Sequence, residues 1–275
     1  MNLPRRLTER DRPSIGAFLS NKLDTHVFVS QRLLGSPIEN QIALGIMDDD
    51  VIQSMVFISG NAVPISVSPE AASLYANTTY VKYAQFASIV GEAHDVTNFW
   101  HAVSQSDGTR TVASERKRQP YLLLEHSIPI EGDLSVDYIT HEDFEQFYNA
   151  SHSMFLGEVG RAPYNLETYR SRLFDQVQDK RSLGYFDEVG VLRFKVDVPI
   201  VYKDVCQVQG VWMHPEWRGQ GKSAPLFSEA IALIQRDIAR RVTLYVNDFN
   251  EPALRLYRRL GFNEIAEYST VFLDI

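Results

Sequence analysis

Between Thr8 and Leu34 the apolar positions Ile15, Phe18, Leu19, Leu23, Val27, Phe28 and Leu33 recur mostly three or four residues apart, as on one face of one or two helices. The period then changes. QIALGIM and VIQSMVFIS read as strands, parted by the acidic turn Asp48, Asp49 and Asp50. SPEAASLYANTTY begins as a capped helix, with Ser68 ahead of Pro69 at the first helical position. FASIVG reads as a buried strand and DVTNFWHAV as a helix. The polar stretch Ser104 to Gln119 follows, and the apolar run YLLLEHSIPI closes this half.

The turn EGD, Glu131 to Asp133, marks the start of a second unit. LSVDYIT predicts a strand, and His141 to Leu156 predicts a helix carrying Phe144, Phe147, Tyr148 and Met154. NLETYRSRLFDQVQ predicts another, with Asn165 as N-cap. GYFDEVGVLRFKVDVPI resembles a hairpin turning near Val189 and Gly190, and VCQVQGVWM is a long strand. SAPLFSEAIALIQRDI (helix), RVTLYVN (strand), PALRLYRRL (helix) and EYSTVFLDI (strand) complete the chain. This alternation predicts a mixed α/β sheet in two domains, residues 1–130 and 131–275.

With 275 residues and 44% hydrophobic content, the chain can bury two cores. Its net charge is -8, and neither half carries a basic excess (11 basic against 13 acidic residues before Glu131, 16 against 22 from there), which argues against nucleic acid as a partner. Cys206 is the single cysteine, so an intrachain disulfide and a thiolate-rich metal site are excluded. The seven histidines show no metal-ligand spacing. No stretch approaches the roughly 20 apolar residues of a membrane span. The expected setting is cytoplasmic.

The chemistry concentrates in HPEWRGQGKSA, His214 to Ala224. GQGKS allows two readings, a nucleotide P-loop or the pyrophosphate arm of an acyl-CoA transferase. A P-loop needs a glycine five residues before its last one, and that position holds Glu216, whose charge would face phosphates. The second reading suits the flanks: an apolar strand meets the loop, and a long amphipathic helix leaves it. That helix offers unpaired N–H groups and the positive end of its dipole to a pyrophosphate. Gly219 and Gly221 remove side chains that would block close approach.

On these residues the chain resembles the GNAT superfamily of acyl-CoA-dependent N-acyltransferases. RGQGKS fits the family's Q/R-x-x-G-x-G/A loop at Arg218 and Gly221, with Ser223 where Gly or Ala is usual. LYVNDFNEPALRLYRRLGF, residues 244–262, resembles the family's downstream strand, Asn, Ala, Tyr and Gly-Phe. Asn250 and Tyr257 are two helical turns apart and share a face; read alone, they would serve as an N-cap and a core tyrosine. DTHVFVSQRL, FASIVG and MFLGEVG are similar to two-part members whose first half is a divergent domain of unknown function.

The resemblance implies tandem GNAT-like α/β domains, the N-terminal one degenerate, with acetyl-CoA as co-substrate and no metal. It implies that the loop strand splays from its neighbour and that pantetheine lies along the backbone of Val211, Trp212 and Met213, the Trp212 ring packing on the opposite face. Arg218, Gly219, Gln220, Gly221, Lys222 and Ser223 would hold the pyrophosphate, Asn250 would support that region, and Tyr257 would serve the departing CoA thiolate. A free phenol titrates near 10 and a thiol near 8.5, so full proton transfer is uphill by about 2 kcal/mol. Tyr257 is then a hydrogen-bond donor to sulfur, or its pKa is lowered in the site.

Many relatives carry a glutamate on the strand before the loop. Here that strand has Gln207 and Gln209, which accept no proton at neutral pH. Glu158, in MFLGEVGRAPY, is the first substitute, with Asp204, Asp248 and the carboxylate of Ile275 as others; an amine already neutral needs none. The expected activity is N-acetyl transfer to a primary amine of a small molecule or protein, by direct attack in a ternary complex. A catalytically silent acyl-CoA-binding module and a small-molecule acetyltransferase on the two-part plan of mycothiol synthase are the alternatives.

Overall fold

Hydrophobic period sets most element boundaries in the computed structural model, which describes residues 2–106, 108–132, 135–159 and 165–274. The chain forms two compact units. The first comprises Met1–Leu122, Tyr245–Glu251 and Glu264–Ile275; the second comprises Leu123–Leu244 and Pro252–Asn263.

The first unit contains β1 (Arg5–Arg6), α1 (Arg12–Ser20), α2 (Val27–Leu34), β2 (Ile42–Asp48), β3 (Val51–Ile58), β4 (Asn61–Ile65), α3 (Pro69–Ala76), α4 (Thr79–Tyr83), β5 (Ser88–Glu92), α5 (Ala93–Ser106) and β6 (Val112–Leu124). The last strand of the chain, β12 (Asn263–Leu273), also belongs to this sheet, whose order is β1-β2-β3-β4-β5-β12-β6. Leu19, Leu33, Met55 and Phe57 fill one core cluster, and Tyr75, Ile89, Phe99 and Val103 fill another. Asp49, at φ +50°, makes the β2–β3 turn where the three aspartates predicted one.

The second unit contains β7 (Asp137–Tyr138), α6 (Phe144–Val159), α7 (Leu166–Gln178), β8 (Ser182–Phe186), β9 (Leu192–Tyr202), β10 (Val205–Met213), α8 (Ser223–Asp237), β11 (Arg241–Tyr245) and α9 (Glu251–Arg259), with sheet order β11-β10-β9-β8-β7. Asn165 caps α7 by accepting from the Thr168 N–H at 2.9 Å. Phe147, Tyr169, Leu173 and Leu192 form the core beneath α6 and α7. Phe194 of β9 meets Phe227 of α8 from the other face of the sheet.

Two readings of the sequence change, and one strand is added. Val112–Leu124 is one long strand although its first half falls in the polar stretch. That half is exposed, so apolar alternation is absent; Arg118 instead pairs with Glu264 and Glu267 of β12. LSVDYIT shortens to β7 because the Thr140 N–H and hydroxyl bond to Asp143, a turn that delays the next helix to Phe144. NAVPI, to which the sequence pattern assigned no element, forms β4 despite Pro64, since the paired register with β5 stops at Ala62. Asp133 of the EGD turn lies outside the described residues.

One plan occurs twice. In each unit an antiparallel ladder (β2-β3-β4 and β8-β9-β10) ends on a strand that leads through a loop and one helix or two, α3 and α4 or α8, to a parallel neighbour, β5 or β11. The loops differ. In the first unit the N–H groups of Ser66 and Val67 donate to the buried Asp95 carboxylate at 2.8 and 2.7 Å, and Ser68 caps α3. The donors ahead of that helix are therefore taken by the protein's own anion. Asp95→Ala should cost about 1–3 kcal/mol for amides left without an acceptor. Urea unfolding followed by circular dichroism will read this as a lower midpoint, and an unchanged midpoint would show the carboxylate to be dispensable.

Candidate active site

The β10–β11 pair decides where a ligand can lie in the second unit. Val205, Cys206 and Gln207 pair with Arg241, Val242 and Thr243, and the pairing ends there although β10 continues to Met213. On its other side β10 follows β9 as far as Met213 opposite Phe194, with register shifts on both sides of Gln209. Gly210 lies in this irregular stretch with φ +59°. A bulge of this kind bends one strand away from its neighbour, so residues 209–213 stay partly exposed while residues 205–208 are buried.

A short turn, Pro215–Trp217, follows. It is tied down by Arg193 of β9, which donates to Asp187 at 2.6 Å and to Glu216 at 2.9 Å. His214 accepts the Glu216 N–H at 3.3 Å and lies 3.1 Å from Arg193 Nη1. Gly219 and Gly221 then take φ of +74° and +76°, the left-handed region in which a side chain is strained. Nothing lies within 4 Å of where a Cβ would stand on either glycine, so the turn opens to solvent on that side. Gln220 donates back to the Glu216 carbonyl, closing the loop on itself.

Ser223 opens α8, and no side chain caps the helix; Pro225 in its first turn lacks an N–H that would be unpaired anyway. Arg218 donates to the Met213 carbonyl at 3.0 Å, and the Lys222 ammonium sits over the Trp217 ring 3.6 Å from its centroid. Two cations, turned glycines and an uncapped helix start thus converge on one loop, an arrangement that suits an anion.

Tyr257 of α9 is buried beside Phe227 of α8 and Phe262, with ring centroids 5.8 and 5.7 Å away. Burial, helped by the nearby negative charge of Glu158, raises its phenol well above the usual range. The direction is opposite to a lowered pKa. Glu158 is exposed near the end of α6, and its charge also acts on Tyr169, whose phenol burial pushes up to about 12. The fold therefore brings Glu158 and Tyr257 within electrostatic reach of one another.

Other candidates fall elsewhere. Asp204 pairs with Arg241 at 3.0 Å at the opposite end of β10 from the loop, where hydrogen bonding from Arg241 holds its carboxyl below the usual range. Asn250 and Asp248 lie in Tyr245–Glu251, part of the first unit, where the Asn250 N–H donates to Asn247 at 2.9 Å. Gln207 is buried and Gln209 exposed. The Trp212 ring packs on the α6–α7 cluster, and Val211 and Met213 are partly buried. Gly160 to Tyr164 and Ile275 lie outside the described residues. Cys206 is buried, its thiol pushed up to about 12. Among the described residues no cluster of His, Cys, Asp or Glu could hold a metal ion, and no helix is long and apolar enough to cross a membrane.

Two features escaped the sequence. Trp217 and Lys222 are five residues apart across a turn, a spacing no periodic pattern picks out. Lys195 and Asp197 in FKVDV look like the solvent face of a strand, yet they form a buried ion pair, Lys195 at 0% exposure. Only the helices laid over that face reveal it.

Residues 142–262 match the model of the Acetyltransferase (GNAT) family, and residues 42–147 match that of a domain of unknown function, DUF4081. A Bacillus subtilis protein provisionally named as a ribosomal protein bS18-alanine N-acetyltransferase is 36% identical over 61 residues, 22% of this chain and 40% of that protein. The mycothiol acetyltransferase of Propionibacterium freudenreichii is 23% identical over 187 residues, 61% of this chain and 58% of that one. The chain thus spans about half the length, or less, of these curated relatives. A tandem GNAT protein from the clavulanic acid biosynthesis pathway shares the fold over 98% of this chain and 97% of its own, with a TM-score of 0.59 at 13% identity. Residues 142–262 therefore belong to the GNAT acetyltransferase family, in a chain whose preceding segment is a DUF4081 domain.

Proposed function

We propose that the chain transfers an acetyl group from acetyl-CoA to a primary amine, by direct attack within a ternary complex at the second unit. The observation that carries this reading is the end of β10–β11 pairing at Gln207, which leaves the rest of β10, up to Met213, without that neighbour ahead of the glycine loop. A pantetheine arm can bond to the strand backbone freed there, along Val211, Trp212 and Met213. The loop from Arg218 to Ser223 would take the pyrophosphate through its amides and through Arg218 and Lys222.

In the reaction the amine nitrogen forms a bond to the thioester carbon, CoA leaves as thiolate, and the amine loses a proton. A phenol raised by burial stays protonated, and passing that proton fully to a thiolate becomes still more uphill. Tyr257 therefore acts as a hydrogen-bond donor to the departing sulfur. Glu158 is the proposed proton acceptor. The likeness to mycothiol acetyltransferase, which runs over 187 residues, supports a small-molecule acceptor over a protein one. A second reading, an acyl-CoA-binding module without turnover, draws on the glutamines of β10, which leave that strand without a carboxylate.

Calorimetry with acetyl-CoA, together with CoA release across an amine panel, separates the two: binding with no turnover on any amine favours the silent module. Gly221→Ala forces a side chain into the left-handed region at a cost of about 1–2 kcal/mol, which should weaken acetyl-CoA roughly 5- to 30-fold. An unchanged Kd would take the loop out of the donor site. For Tyr257→Phe, kcat should fall about tenfold or more with Kd for acetyl-CoA unchanged. Because the phenol is raised, the wild-type pH profile should climb as the amine is neutralised, with no falling limb below about pH 10. Wild-type kcat in the phenylalanine variant would remove Tyr257 from the reaction. Glu158→Gln should lower kcat/KM by about 10²- to 10⁴-fold, and full activity would return Glu158 to the solvated surface.

A further inference from the structure

Lys195 and Asp197 lie on the face of β9 that α6 and α7 cover, at 0% and 6% exposure. The ammonium donates to Asp197 Oδ2 and, at 3.2 Å, to the carbonyl of Gly210, and it sits 5.1 Å from the centre of the Phe147 ring. The other carboxylate oxygen accepts from the Ser182 hydroxyl at 3.0 Å, and Ser182 accepts from Gln176 Nε2 at 2.7 Å. Every bond in this chain leads to one backbone carbonyl in the irregular stretch of β10.

Gly210 is shaped for the contact. A Cβ there would stand 2.5 Å from Asp197 Oδ2 and 2.9 Å from Lys195 Nζ, and the residue holds φ +59° within the register shift between Gln209 and Trp212. The ion pair thus fills the space a side chain would take and anchors the carbonyl that the bulge turns inward.

Stability alone does not explain such a pair. Removing two charges from water costs several kcal/mol per ion, and apolar residues of similar volume commonly serve as well or better. What apolar residues cannot do is fix the direction of a carbonyl, and with it the peptide units that follow. Those units belong to Val211, Trp212 and Met213, which pair with β9 on one edge and extend past the end of the β11 pairing on the other.

We propose that Lys195 and Asp197, buttressed by Ser182 and Gln176, are positioning residues that lock the β10 bulge so that the N–H groups of residues 211–213 turned away from β9 are aimed at the acyl carbonyl of the donor. This rests on the acyl-CoA reading of the second unit. The pair touches no substrate; it acts through Gly210. Preorganised amides polarise a carbonyl only when held in direction, so loss of the lock should appear in the carbonyl itself.

The test compares wild type with the double variant Lys195→Met, Asp197→Leu, using acetyl-CoA labelled with 13C at the carbonyl. Wild type should move the bound carbonyl resonance downfield of its free position. The double variant should keep or raise its melting temperature, return the resonance most of the way to the free value, and lose at least about tenfold in kcat on the amine panel. Ser182→Ala, which deletes one hydroxyl, should shift the resonance in the same direction by less, and it keeps the test available if the double variant does not fold. A folded variant with the wild-type resonance and kcat overturns the proposal, as does an unmoved resonance in Ser182→Ala. Wild type that binds no acetyl-CoA overturns the acyl-CoA reading and the proposal with it, whereas binding by wild type with unaltered variants overturns the proposal alone.

Discussion

Backbone N–H and C=O groups at the point where two parallel strands separate must find partners elsewhere, and both units are organised around that requirement. In each, a parallel pair begins in register and then ends: after Ala62 and Ile89 in the first unit, after Gln207 and Thr243 in the second. The first unit meets the demand internally. Asp95 reaches back from α5 to the amides ahead of α3, and Gly91 brings β5 close to the Pro64 carbonyl. The second unit leaves its loop glycines open and its helix uncapped. One plan, twice used, thus yields a closed structural element and an open site.

Polar interactions in the second unit serve direction more than adhesion. Arg193 holds the turn before the loop, Arg218 ties the loop to the end of β10, and Lys195 ties the bulge to β9. The pair of Arg193 with the exposed Glu216 contributes little to stability, typically about 0–1 kcal/mol, and the buried Lys195–Asp197 pair carries a desolvation cost. Each instead fixes the orientation of a backbone segment that would otherwise have several choices. Apolar contacts such as Phe227 with Tyr257 and Phe262 supply the cohesion.

What the sequence revealed follows from the range of the forces involved. Local signals were legible: Asn165 as a cap, the aspartates of the first hairpin, the end of β10 at Met213, and the glycines whose conformations the loop needs. Contacts between distant segments were not. The polar first half of β6 is a strand because Glu264 and Glu267 stand opposite Arg118, and nothing near Arg118 announces them. Lys195 and Asp197 alternate with valines as solvent-facing residues do, and only α6 and α7 make that face an interior. Of the candidate site, the turned conformation of the glycine loop was readable from local pattern; the burial that raises the Tyr257 phenol was not, because burial is a property of the assembled core.

The membership of β12 bears on the order in which the chain can fold. This strand lies between β5 and β6 in the sheet of the first unit, and Ser88 is paired with Phe272. At roughly 5–20 residues per second, synthesis separates those partners by about 10–40 s. Throughout that interval β5 has an open edge, the kind of surface that recruits foreign strands. The second unit needs nothing beyond Asn263, so its chain is complete before the first unit's last strand arrives. The N-terminal segment is therefore the first made and the last finished, and a chain cut near residue 130 would strip its sheet of an interior strand.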